Sequence, residues 1–201
     1  MLSPCLTVTR MMLLSPLLLL TLTLLVVLTP LWSAASNSNP DELKVVQHVD
    51  LNRYVGTWYE IALIPVWFQR DCAGETTAEY TLAEGGEISV INRCCTKEGT
   101  VKEAKGRAWV VDKKSPGKLK VSFVSVFGLW LFGGKYWIID LDPDYQYAVI
   151  GNPGRKIGWI LSRTPQLPQD VLNSIAERLK QNGYNFSDFS MTNQTDVRCN
   201  P

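Results

Sequence analysis

The sequence predicts an all-β fold: an eight-stranded antiparallel up-and-down β-barrel with one C-terminal helix packed on its outside. Three observations carry this expectation. Apolar and polar residues alternate with period two from about Tyr54 to Arg163, the pattern of half-buried strands. Gly, Pro, Asn and Asp interrupt that pattern at short intervals, and connections this short force sequence neighbours to pair antiparallel. A single segment of helical period follows, with an apolar stripe on one face only. Such a set favours closure, because a barrel has no exposed edges and eight strands leave room for one small ligand.

Residues 1–35 read as a signal peptide. Arg10 precedes the apolar run MMLLSPLLLLTLTLLVVLTPLW, and Ser33, Ala34 and Ala35 offer a small-residue cleavage site. The competing reading is an uncleaved anchor, since the run is nearly long enough to cross a bilayer. Cys5 stands before the run, whereas a lipid-bearing cysteine would follow it. Residues 36–49 form a linker and N-terminal arm that begins in Ser and Asn, and 50–201 form the barrel, its helix and its tail.

Strands are expected near 54–63, 76–82, 88–94, 101–111, 118–123, 135–141, 145–150 and 157–162. Turn chemistry separates them at Glu84-Gly85-Gly86, Lys97-Glu98-Gly99, Ser115-Pro116-Gly117, Asp142-Pro143-Asp144 and Asn152-Pro153-Gly154. In PQDVLNSIAERLKQNG, Pro168 suits the first turn of a helix and Gly183 its stop. Val171, Leu172, Ile175 and Leu179 share one face.

The chain has 201 residues, 46% hydrophobic and 19% charged, which suits one globular domain. Arg10 is the only charge before Asp41, so removing the leader leaves 19 basic against 19 acidic groups. That balance gives no reason to expect nucleic acid as a partner. Four cysteines remain after the leader: Cys72, Cys94, Cys95 and Cys199. In an exported chain they read as two disulfides, for which three connectivities exist. Their spacing matches no zinc pattern and His48 is the only histidine, so neither a metal nor a cofactor is expected.

The stretches RYVGTWYEIA, YWIIDLDPDYQYAVI, WILSRTP and TDVRC resemble the lipocalin family, in particular its apolipoprotein D and bacterial Blc branch. Gly56-Thr57-Trp58-Tyr59, Asp142-Pro143-Asp144-Tyr145 and Arg163 stand in order where that family has its three signatures. The resemblance implies that Trp58 closes the barrel floor under the guanidinium of Arg163, with Gly56 giving the chain room to bend. It also implies that Tyr54, Tyr80, Asn92 and Trp159 line the ligand cavity. Cys199 resembles a cysteine that pins the tail to the start of the second strand, where Cys72 stands. That bridge would leave adjacent Cys94 and Cys95 to a strained vicinal bond. The alternative joins Cys72 to one of that pair and Cys199 to the other, and is preferred.

The expected function is carriage of a small hydrophobic ligand such as a fatty acid or lysophospholipid. Trp67, Phe68, Phe127, Trp130 and Phe132 fall in two loops that the resemblance places at the open end, where they form either a plug or an exposed rim. A rim would touch a membrane or a second copy of the chain. An enzyme built on a cavity thiol is the alternative class, weakened because no histidine accompanies the cysteines. Export would lead to periplasm or extracellular space. Asn185-Phe186-Ser187 and Asn193-Gln194-Thr195 are glycan acceptors only in a eukaryotic secretory pathway.

Overall fold

A computed structural model describes residues 42–195 and Cys199; the expected signal peptide and the start of the linker lie outside them. The Asp50 carboxylate accepts from the Asn52 N–H at 2.9 Å and caps one helical turn, α1 (Leu51–Tyr54). Tyr54 is therefore the last residue of a turn and not the first of a strand, the cap at Asp50 having overridden the period-two pattern. The strands follow as β1 (Gly56–Leu63), β2 (Cys72–Leu82), β3 (Ile88–Thr96), β4 (Val101–Val110) and β5 (Lys118–Ser122). Next come β6 (Val124–Val126), β7 (Leu129–Leu131), β8 (Gly134–Leu141), β9 (Tyr147–Gly151) and β10 (Gly158–Ser162). The helix α2 (Gln169–Gln181) and a short β11 (Ser190–Met191) complete the order.

The main sheet runs β10-β9-β8-β5-β4-β3-β2-β1, and β1 pairs back onto β10 from Tyr59↔Ser162 to Leu63↔Trp159. The fold is thus the closed eight-stranded antiparallel meander expected from the sequence. The hairpin β6–β7 stands outside the barrel sheet. Its turn, Phe127-Gly128, has both residues at left-handed φ, 50° and 81°. This is the two-residue geometry that suits a hairpin, and a Phe in its first position hides the usual Asn-Gly or Gly-Gly signal.

Alternation within one strand separates two cores. On β9, Ala148 and Ile150 face the barrel interior with Trp58, Leu119 and Ile138. Tyr147 and Val149 face outward beneath Leu172, Ile175 and Leu179 of α2. Burying three such helix side chains contributes about 1.5–3 kcal/mol each, which holds a thirteen-residue helix that would be marginal alone.

β1 and β2 pair only from Gly56↔Tyr80 to Tyr59↔Thr77. Beyond that the C-terminal tail lies between them. β11 pairs with Ala62 and Leu63, the Glu75 N–H donates to the Asn193 carbonyl, and the Gln194 amide bridges the Glu60 and Thr76 carbonyls at 2.8 Å each. The disulfides are Cys72–Cys94 and Cys95–Cys199, and the second fastens this tail to β3.

The barrel interior and its two ends

Strand direction sets which end is which. β1 rises from Gly56 beside Arg163 and ends at Leu63, so the loops after β1 and β5 lie at the end opposite Arg163. At the closed end Gly56 has φ +97°, and a Cβ there would come within 3.3 Å of an Arg163 guanidinium nitrogen. Only glycine suits both that conformation and that approach. Arg163 lies 3.7 Å above the Trp58 ring centroid and donates to the carbonyls of Arg53, Tyr54, Val55, Thr57 and Tyr145. Trp58 is fully buried, and its indole N–H donates to the Tyr54 carbonyl at 2.8 Å. The three signature residues are therefore one structural cluster.

Above Trp58 the predicted lining residues divide. Tyr54 and Tyr80 stack at 5.6 Å, and the hydroxyl of each bonds to that of Tyr136, at 2.8 and 3.0 Å. Burial raises the pKa of all three phenols, that of Tyr80 to about 12, so they stay protonated. Three hydroxyl protons serve two bonds among the described residues, so one O–H remains to donate, whichever way the chain runs. Tyr136 escaped the sequence reading, although its period-two register in YWIIDL with Ile138 gives it an inward position.

Asn92 belongs to the same interior but bonds to none of these groups. It stands opposite Ala78 on β2 and Ala104 on β4, two small neighbours, and its Oδ1 is buried with no hydrogen-bond partner among the described residues. Phe123, expected as the end of the fifth strand, lies just past β5, and its ring edge leaves no room for a Cβ on Gly106.

Trp159 lies higher, in a third group. Its indole N–H donates to Gln69 Oε1 at 3.0 Å. An indole only donates, so the Gln69 amide is fixed with Nε2 toward Glu60, to which it donates at 2.8 Å. Thr192 Oγ1 donates to the other Glu60 oxygen at 2.7 Å. Glu60 is only 4% exposed, and burial pushes its carboxyl above the ordinary glutamate range against the pull of those two hydrogen bonds. The sequence reading missed Glu60 and Gln69. The available signal was parity, since Glu60 shares the inward face of β1 with Trp58 and is its one charged residue.

At the open end, Trp67 and Phe68 sit on a short 3-10 turn, with Trp67 79% exposed. Lys102 ties this turn to β4 by donating to the Phe68 carbonyl and Asp71. Phe127 is fully exposed at the hairpin tip and Phe132 is 89% exposed. Trp130 departs from the expected rim. It is half-buried, directly across the hairpin from Ser125, with the Arg107 guanidinium 5.9 Å from its ring, because alternation along β7 turns it from the face of Leu129.

A closed eight-stranded antiparallel barrel with an apolar interior and a few inward polar groups defines a class whose members hold one small ligand. Residues 49–194 match the model of the lipocalin-like domain. The chain belongs to the lipocalin family. It is 39% identical over 161 residues to temperature-induced lipocalin-1 of Arabidopsis thaliana, covering 78% of this chain and 85% of that protein. It is 40% identical over 147 residues to the outer membrane lipoprotein Blc of Vibrio cholerae, covering 72% and 82%. Apolipoprotein D of Cavia porcellus is 31% identical over 160 residues, covering 76% and 80%. Among solved structures, insecticyanin from the tobacco hornworm Manduca sexta superposes with a TM-score of 0.63 at 24% identity, over 79% of this chain and 87% of that one, a likeness of fold. Family membership implies a small hydrophobic ligand.

Proposed function

We propose that this lipocalin is an exported carrier of a fatty acid, lysophospholipid or similar lipid, and that it exchanges this ligand with membranes through its open end. One observation carries the reading: unspent hydrogen-bonding capacity inside an apolar barrel. A buried polar atom without a partner costs free energy. Among the described residues, one tyrosine proton and the Asn92 oxygen of the interior have no partner. A ligand with an apolar body and a small polar group supplies those partners. A carrier, and not an enzyme, is the role these groups support. Each of the four described cysteines is in a disulfide, and His48 lies on the arm before the barrel.

Docking is supported by the rim. Phe127 combines left-handed φ with full exposure, so neither packing nor conformational preference accounts for an aromatic there. Trp67, Leu129 and Phe132 extend the apolar surface. A lipid released into water exposes its chain at about 0.8 kcal/mol per CH₂, a barrier that direct contact with a bilayer avoids. Replacing Phe127 and Phe132 with Ser is expected to slow lipid transfer between vesicles by about tenfold while leaving the affinity for dispersed lipid within about twofold. Because insertion is apolar and the chain is close to neutral, with a formal net charge of +1, transfer should persist in moderate salt. Unchanged transfer rates in the double variant would remove the docking role. A mass of two chains in lipid-free solution, lost in the same variant, would assign the rim to a homodimer.

A further inference from the structure

The carrier reading leaves one interior group without a purpose. Glu60 is a buried carboxyl that accepts from Gln69 of the mouth turn and Thr192 of the tail, both neutral. Leu161 faces it from β10. From the tail, Gln194 holds its backbone carbonyl. Across β2, Tyr80 is the titratable group its charge reaches. The cations at the two ends have other partners: Arg163 stacks below Trp58, and both Lys102 and Arg70, the residue after Gln69, pair with Asp71. No Lys or Arg of the described residues pairs with Glu60, and a buried charge without a counter-charge is expensive.

The hydrogen bonds themselves do not require an acid. A glutamine at 60 would accept from Gln69 through its oxygen and donate to the Thr192 hydroxyl through its amide. What a glutamine could not supply is the ionisable charge. That charge lies one hydrogen bond from Gln69, which in turn holds the inward-facing Trp159, on the half of the barrel nearer the loop after β1.

Resting on the carrier reading, we propose that Glu60 sets the head-group charge the barrel accepts: a cationic or neutral polar group enters freely, and a carboxylate enters only together with a proton. A second negative charge about 8 Å away at an effective dielectric of roughly 20 lowers affinity more than tenfold. Taking up one proton, on Glu60 or on the ligand, relieves that repulsion. A cation instead stabilises ionised Glu60, so the two kinds of complex differ by one bound proton.

The test uses the full chain and three probes with the same twelve-carbon tail, dodecylamine, dodecanol and dodecanoate, at pH 6.5 and 8.5. In the unmodified protein the amine should bind at least about tenfold tighter than the carboxylate at pH 8.5. The gap should narrow at pH 6.5, while the alcohol changes little. In Glu60→Gln the amine-to-carboxylate ratio should fall to within about threefold at both pH values. A folded Glu60→Gln protein that keeps the original ratio would overturn the charge rule. Should that variant not fold, calorimetry of the unmodified protein in two buffers of different ionisation enthalpy decides. The amine and carboxylate complexes should differ by close to one bound proton, and equal proton counts overturn the rule. If none of the probes binds the unmodified protein, the carrier reading fails and this inference with it; binding with a ratio indifferent to Glu60 overturns the inference alone.

Discussion

Arg163→Ala is expected to lower stability by about 3 kcal/mol while leaving ligand affinity nearly unchanged. The guanidinium spans five carbonyls, four within residues 53–57 and one at Tyr145, and stacks on a buried indole. Hydrogen bonds from a charged donor contribute about 1.5–3 kcal/mol each, though not additively, and the stack adds roughly 0.5–2 kcal/mol. Partial exposure of the guanidinium lets water replace some of those donors, which keeps the loss well below the sum. For a domain of this size the change corresponds to a fall in Tm of about 6–12 °C. Arg163→Lys should recover little, because an ammonium has three donors and no plane to lay on Trp58. Trp58 stands between Arg163 and the interior, so binding should be spared. Thermal melts set beside lipid-binding curves check both halves, and parallel loss of affinity in folded protein would contradict the separation of floor from cavity.

Removing the tail disulfide should have a still larger effect. Cys95 and Cys199 are 104 residues apart in sequence, against 22 for Cys72 and Cys94. Loop-closure entropy assigns roughly 4.7 kcal/mol to a bridge over the longer span and about 3 kcal/mol over the shorter. The longer bridge also anchors the segment that fills the gap between β1 and β2, including the Gln194 bridge and the Thr192 bond to Glu60. The Cys95→Ser/Cys199→Ser pair should therefore cost more in denaturant unfolding than Cys72→Ser/Cys94→Ser, and should alone raise hydrogen exchange along the upper half of β1. The reverse order would mean that the tail does not hold the barrel wall.

The barrel itself was legible because period-two alternation and short turns act locally, and eight such strands have one economical closure. The signature residues were legible for a related reason: a glycine beside a tryptophan, with an arginine far along the chain, is a costly combination unless the three meet. What escaped depends on long-range placement. β11 is two residues long and exists because β1 and β2 part, which no local pattern announces. The Phe127-Gly128 hairpin was concealed by an aromatic at a position that favours Asn or Gly. The period-two pattern runs through Tyr54, but the Asp50 cap draws that residue into a helical turn. Glu60 and Gln69 acquire their roles only when a turn nine residues along folds back over β1. A lone carboxyl in an apolar strand at inward parity was the one local sign of that network.

Quenching of tryptophan fluorescence by a fatty acid brominated along its chain tests most directly that the ligand sits inside the barrel. The measurement is made without vesicles, on the unmodified protein, on Trp159→Phe and on Trp67→Phe. Trp159 is an interior residue bonded to Gln69, whereas Trp67 is on the exposed rim. Saturable quenching at one ligand per chain is predicted, with the quenched amplitude clearly reduced in Trp159→Phe and retained in Trp67→Phe. Quenching that survives in Trp159→Phe but is lost in Trp67→Phe would place the lipid on the outside of the mouth and contradict a ligand held within.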